Sequence, residues 1–194
     1  MNITSTHELL EACQSGQVAK AKGFGEKTQE SILASLQFRE ANQGKWLYAD
    51  IEVFVAEFIK NVKGLKGVNE IISVGDFGRK MEIIETVEFL VSTENQSETI
   101  LEISSLGSLE KDRKSSSPFK WRGKMVEPEI NLLIHFTKLS HFVEEKIVRT
   151  ATKNHLLYPV IGEKTLIEVL RENSPLASEN ELFEKAGLPW IPEE

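Results

Sequence analysis

Cysteine is nearly absent. The 194-residue chain carries one, Cys13, so no internal disulfide framework can form, and this fits a reducing, cytoplasmic setting. Cys13 sits in an amphipathic helical pattern, which predicts a buried, inert thiol and not a nucleophile. Long apolar runs are missing too. None approaches the roughly 20 residues of a membrane span, so no membrane contact is expected. The opening Met1–Glu8 has neither the basic nor the apolar region of a signal peptide. The four histidines, His7, His135, His141 and His155, are scattered. Without a His-x-x-x-His pair or further cysteine, nothing points to a zinc site. No Ser-His-Asp and no P-loop signature is present.

Positive charge is scarce overall. The net charge of −7 excludes a globally basic surface of the kind that phosphate backbones attract. The distribution is uneven, however. Residues 1–66 carry 8 basic and 8 acidic groups, residues 67–109 carry 2 and 8, and residues 110–124 carry 6 and 2. The last 34 residues are acidic again. Any nucleic-acid contact is therefore local, in the first third or in the basic stretch. That stretch, Lys111, Arg113, Lys114, Lys120, Arg122 and Lys124, reads as a solvated loop or as a contact with Trp121 as its stacking surface. Hydrophobic content of 40% with 27% charged residues is an ordinary globular profile. The length suits one sizeable core or two to three small modules.

Periodicity predicts a helix over residues 5–15, capped by Ser5 or Thr6 with Glu8 near the capping-box position and ended by Gly16. Val18, Ala19 and Ala21 form a short helical turn, and a further helix carries Ile32, Leu33 and Leu36. Between them lies Lys22-Gly-Phe-Gly-Glu-Lys-Thr28. Two glycines permit a tight backbone and the close approach of a partner. Amides at the start of the second helix can bind a phosphate oxygen. Phe24 is expected to tuck inward, with Lys22, Lys27 and Thr28 bordering the phosphate. A plain connection used only for packing is the simpler reading of a Gly-x-Gly.

Residues 45–62 place Leu47, Ile51, Phe54, Val55, Phe58, Ile59 and Val62 on a broad helical stripe. Strands are expected at residues 70–74, 86–91, 98–103 and 119–126, the last ended by Pro128. Residues 104–118 read as an exposed loop. From Ile130 the pattern turns helical, with a helix over 139–153. A strand is expected at 156–161, then a short helix at 165–171. Ser178 with Glu181 makes a capping box, Gly187 a C-cap, and Trp190 a packing anchor.

The segment around Lys22–Thr28 resembles a helix-hairpin-helix motif, which grips the backbone of DNA without reading its sequence. In that motif hairpin carbonyls, here of Ala21 and Phe24, also hold a monovalent cation. The stretch Gly75-Asp-Phe-Gly-Arg-Lys-Met-Glu-Ile-Ile-Glu-Thr-Val-Glu-Phe-Leu-Val91 resembles the nucleotide-binding signature of the family X DNA polymerases. That signature reads Gly-Ser-x-Arg-Arg-x-x-Glu-x-x-Gly-Asp-x-Asp-x-Leu. Gly75, Arg79, Glu82 and Leu90 match. His135-Phe-Thr-Lys-Leu139 is similar to the family's Tyr-Phe-Thr-Gly-Ser, and Gly187-Leu-Pro-Trp-Ile-Pro192 to the end of its thumb.

The resemblance implies an α+β fold. A helix-hairpin-helix, fingers-like domain is expected at residues 1–66, a nucleotidyltransferase-like palm at 67–131 and a small α/β thumb at 132–194. Family X chemistry uses two divalent ions held by three aspartates. Here the first is Thr86, the second Glu88, and the nearest counterpart of the third is Glu127. Of the groups holding triphosphate, Ser has become Asp76 and one Arg has become Gly78, leaving Gly75 and Arg79 as a remnant. The expectation is a catalytically degenerate relative, a pseudoenzyme without cofactor, binding DNA through Lys22, Gly23, Phe24, Gly25, Lys27 and Thr28, in DNA repair. No room for the family's lyase domain is expected before residue 8. The alternatives are a protein-protein scaffolding module, favoured by the acidic segments, and a residual nucleotidyltransferase using Mg²⁺ on Glu88 and Glu127.

Overall fold

A computed structural model describes residue 3, residues 5–41 and residues 44–189. Local sequence signals dominate in the first of its two compact units, Met1–Gln43. Helix α1 spans Thr6–Gln14 and is capped by Ser5, whose Oγ accepts the Glu8 N–H at 3.2 Å. Gly16, at φ 71, turns the chain into α2, Gln17–Lys20. Helix α3 runs over Glu26–Ala41. The small core contains Ala12, Cys13 and Val18, with Leu9, Ile32 and Leu33 packed against it. Cys13 is buried, as its helical pattern predicts. Gln29 Oε1 accepts the Ala19 N–H at 2.9 Å, satisfying a donor in the first turn of α2 that has no partner within its helix.

The second unit, Gly44–Glu194, is built on a sheet. In chain order come β1 (Trp46–Leu47), α4 (Tyr48–Lys63), β2 (Val68–Val74), α5 (Gly75–Gly78), β3 (Ile83–Ile84) and β4 (Val87–Thr93). They are followed by α6 (Gln96–Ser104), β5 (Leu109–Lys111), β6 (Lys120–Met125) and β7 (Ile130–Thr137). The five-stranded sheet has the order β2-β4-β7-β6-β5, and β1 pairs with β3 separately. Only β4 and β7 are parallel; every other neighbouring pair is antiparallel. Helix α4 buries Ile51, Val55, Phe58 and Val62, the stripe read from the sequence. Phe58 meets Phe89 of β4 with ring centroids 4.7 Å apart. The core continues through Val87, Val91, Leu132, Ile134 and Phe136. Each such side chain contributes about 1.5–3 kcal/mol when fully buried. The expected boundaries at 66/67 and 131/132 both fall inside this unit, the second within β7.

Three expected elements are corrected. Residues 98–103 lie in α6, not in a strand, because Asn95 caps the segment: its Oδ1 accepts the Glu98 N–H at 3.3 Å, and Thr99 and Ile103, one turn apart, are buried. Residues from Ile130 form the strand β7, not a helix. Ile130, Leu132, Ile134 and Phe136 alternate into the core, a period of two that the run of apolar residues conceals. Residues 156–161 form no strand; a single bridge joins Pro159 to Thr165. In addition, the segment 104–118 contains the edge strand β5. Trp121 is no stacking surface. It is fully buried, and its Nε1 donates to Ser104 Oγ at 3.1 Å.

Beyond β7 a 3-10 turn at Leu139–His141 leads into α7 (Phe142–Thr150), α8 (Lys153–Leu156), α9 (Leu166–Asn173) and α10 (Glu179–Lys185). A second core unites Ile147, Leu166, Val169, Leu170, Leu176, Leu182 and Ala186. The buried Glu144 carboxylate ties this layer together: Oε1 accepts the Leu176 N–H at 2.6 Å and the Ser174 hydroxyl at 3.0 Å. Ser178 Oγ caps α10 through the Glu181 N–H, while the Glu181 carboxylate accepts from Ala177, one residue before a capping box would have it. Gly187, at φ 69, closes the helix as expected. Trp190 lies outside the described residues. Among those residues no helix is long and apolar enough to cross a membrane.

Gly123 on β6 is the tightest glycine. A Cβ there would lie 2.2 Å from Glu110 O and 2.6 Å from the Trp121 ring. Gly123→Ala is therefore expected to push β5 from the sheet edge and destabilise the protein by about 1–3 kcal/mol or more. A lowered urea midpoint at unchanged slope would show it.

Candidate functional site

Strand register decides which side chains meet. Glu88 of β4 stands beside Leu133 of β7, and Leu90 beside His135. On the other side of β7, His135 stands beside Lys120, Leu133 beside Arg122 and Asn131 beside Lys124. Alternate residues share a face. The face turned away from the main core thus carries Glu88 on β4, Asn131, Leu133 and His135 on β7, and Lys120, Arg122 and Lys124 on β6. Helix α7 packs against β2 and β4, whereas Lys120 and Arg122 remain exposed.

Glu88 is the centre of this face. Its Oε2 lies 3.0 Å from His135 Nε2, and its Oε1 would be 3.0 Å from a Cβ on Gly75. Gly75 also has φ +62, so backbone conformation and close approach both demand glycine there. Helix α5 begins at that glycine. Arg79, at its end, donates to Thr150 O of α7 at 2.5 Å and pairs with Asp76. A guanidinium is favourable on the last carbonyls of a helix. Arg79 thus joins two helices. A Cβ at Gly78 would meet Ser73 O at 3.0 Å and the Thr150 methyl at 3.5 Å, so close packing leaves little room for a long side chain there.

Thr86 precedes β4, and continuing the register one step from Val87 beside Leu132 sets it across from Asn131. The two line one cavity. Asn131 Nδ2 donates to Glu85 O at 3.2 Å. Glu127 is exposed in the turn between β6 and β7, so the strand position next to β4 belongs to Asn131. Sequence reading missed Asn131 and the partner of Glu88 because it took this segment as helical. The signal was the alternation Asn131, Leu133, His135 against Leu132, Ile134, Phe136. His135, Phe136 and Thr137 form the end of β7.

A pair of divalent ions about 3.5–4 Å apart needs bridging carboxylates. Thr86, Glu88 and Asn131 supply one carboxylate, and it is already hydrogen-bonded to His135. This donor set does not fit two such ions. Among the described residues no group of three or more His, Cys, Asp or Glu is placed to hold a metal.

In the first unit Lys22, Gly23, Phe24 and Gly25, between α2 and α3, and Lys27 and Thr28, in the first turn of α3, are all exposed. The Phe24 N–H donates to Ala21 O at 3.0 Å, closing the hairpin and leaving that carbonyl one lone pair. Phe24 is 48% exposed, so the expected inward tuck is absent: the Ala12–Cys13–Val18 core is closed by Leu9, Ile32 and Leu33. Gly23 needs its φ of 94. Gly25 has no positive φ, and a Cβ there would meet nothing within 4 Å. It is the residue before α3, its carbonyl accepting the Gln29 N–H at 3.0 Å, an N-cap position that favours glycine.

The basic loop is ordered by Asp112. Its carboxylate accepts the Lys114 N–H at 2.9 Å, the Ser115 N–H at 3.3 Å and the Ser115 hydroxyl at 2.5 Å. The Ser115 hydroxyl first, then these amides, hold the carboxyl below the usual carboxylate range.

No family model and no curated protein matches the chain. Among solved structures, Leishmania infantum polymerase beta in a ternary P/T complex is similar at TM-score 0.58 and 14% identity, covering 97% of this chain and 87% of that one. The same polymerase in a ternary gap complex is similar at TM-score 0.58 and 13% identity, covering 97% and 79%. The α+β architecture is thus a polymerase beta-like fold.

The lowered Asp112 pKa fixes a sign. The stability that its ionised form confers on the loop is fully present above the ordinary carboxylate value of about 4 and is lost as pH falls through its own lower value. Exchange of the Lys114 and Ser115 amides is expected to keep constant protection from pH 7 to 5, after correction for intrinsic rates, and Asp112→Asn to reduce it throughout that range.

Proposed function

We propose that this protein is a non-catalytic, polymerase beta-like protein that binds the DNA backbone through residues 22–28, in a DNA-repair setting. One observation carries the non-catalytic part: the face where this fold is expected to hold divalent ions offers Thr86, Asn131 and a single carboxylate joined to His135. No cofactor is required in this reading. The binding part draws on Gly23 and Gly25, exposed glycines at the N-terminus of the 16-residue α3 and flanked by Lys22 and Lys27. Backbone without side chains at the start of a helix suits the close approach of an external phosphate oxygen. Such contact is to backbone and not to base edges, so it carries no sequence preference.

The test is fluorescence anisotropy on a gapped duplex at low salt. The protein is expected to bind with an affinity that falls as salt rises, and Lys22→Glu with Lys27→Glu to remove the interaction. Absence of binding by the unmodified protein would overturn the reading. For the non-catalytic part, Mg²⁺ or Mn²⁺ is expected to add nothing to the melting temperature measured with a deoxynucleoside triphosphate in EDTA. A ligand at 100 times its Kd adds about 2.7 kcal/mol, so a clear metal-dependent rise would show a working catalytic nucleotide site.

A further inference from the structure

The segment between β5 and β6 is more than a solvated connection. It borders a groove of about 740 Å³ lined by Arg113, Lys114 and Arg122, with Thr86 and Asn131 also in its wall; Lys111, paired with Gly123, belongs to the other face of the sheet. The volume suits a ligand of nucleotide size, while the charged lining does not suit an apolar one. Two carboxylates share the groove, and both are engaged. Glu110 faces Lys124 at 3.6 Å, and Lys124 is further held by Glu129 at 2.8 Å. Asp112 is folded into its own turn. Among the described residues no carboxylate forms an ion pair with Arg113, Lys114 or Arg122.

These cations sit on an ordered frame. The Asp112 N–H donates to Arg122 O at 2.8 Å. The Ser116 hydroxyl accepts the Arg122 N–H at 2.9 Å and donates to Asp112 O at 2.7 Å. The loop is thereby fastened along β6, which lowers the ordering cost of binding an anion. The neutral residues matter equally. Carboxylates at 86 and 131 would repel a phosphate unless divalent ions lay between; a threonine hydroxyl and an asparagine amide can donate to it directly.

We propose that this groove is a metal-independent site for a multiply charged phosphate group, bound directly by Arg113, Lys114 and Arg122 against Thr86 and Asn131. Guanidinium and ammonium groups supply the positive charge that divalent ions would otherwise bring. The phosphate comes from one of two sources, a free polyphosphate or nucleotide, or the phosphorylated end of a nucleic-acid strand.

The experiment is isothermal titration calorimetry of the full chain in EDTA at low salt, with tripolyphosphate, ATP, and a five-nucleotide oligothymidylate with and without a 5′-phosphate. Saturable binding of tripolyphosphate or ATP is expected if the source is a free polyphosphate. At least tenfold preference for the phosphorylated oligonucleotide is expected if it is a strand end. In either case Arg113→Gln, Lys114→Gln and Arg122→Gln combined weaken binding at least tenfold, with the unliganded melting temperature little changed. A folding defect in that variant is bypassed by Lys114→Gln alone, expected to weaken binding severalfold. No saturable binding in EDTA by any of these probes, binding that requires added Mg²⁺, or equal affinity in the variants would overturn the proposal.

Discussion

Parallel pairing between β4 and β7 sets the neighbourhoods of the second unit. It makes β7 a central strand, buries Leu132, Ile134 and Phe136 against α4 and its core partners, and turns Asn131, Leu133 and His135 to the opposite face. A slip of one residue would exchange the two sets, moving three large apolar side chains out of the core. At about 1.5–3 kcal/mol each, that loss is comparable with the whole stability of a domain. The register is therefore fixed by burial, and the site follows from it. Glu88 meets His135 because the core demands that alignment.

Around Glu88 the molecule has closed in on itself. Gly75 lets the carboxylate lie against the backbone, His135 holds it from the neighbouring strand, and Arg79 is drawn to the end of α7. Each group that a ligand or ion would need has an internal partner. The cations that lack one lie on β6 and the loop before it. The exposed charge of that sheet face thus lies in the lysine and arginine of β6.

The first unit follows a different logic. Its hairpin is short-range: Gly16 and Gly23 supply the left-handed turns, Gln29 satisfies an open amide, and a few small apolar residues fill the interior. Most of these devices act within about ten residues, which is why they can be read along the chain. Phe24 is the exception, since whether an aromatic ring is covered depends on what space the packed helices leave.

Helix α1 with its Ser5 cap, the buried thiol of Cys13, the stripe of α4 and the Gly187 stop were all legible along the chain, because each rests on spacing or backbone preference within one or two turns. The polymerase beta-like architecture was legible too, carried by Gly75, Arg79 and the order of elements around them. What escaped was every choice made by distant partners. Apolar residues around Ile130 and Leu132 suit a helix or a buried strand equally, and the presence of β4 on one side and β6 on the other selected the strand. Residues 98–103 could have paired as an edge, yet the Asn95 cap and the space over Trp121 made them a helix. Asn131 beside Thr86, His135 on Glu88 and Arg122 beside Leu133 join residues that are tens of positions apart or set on separate strands. Only tertiary pairing brings such groups within hydrogen-bond reach, and no local pattern encodes it.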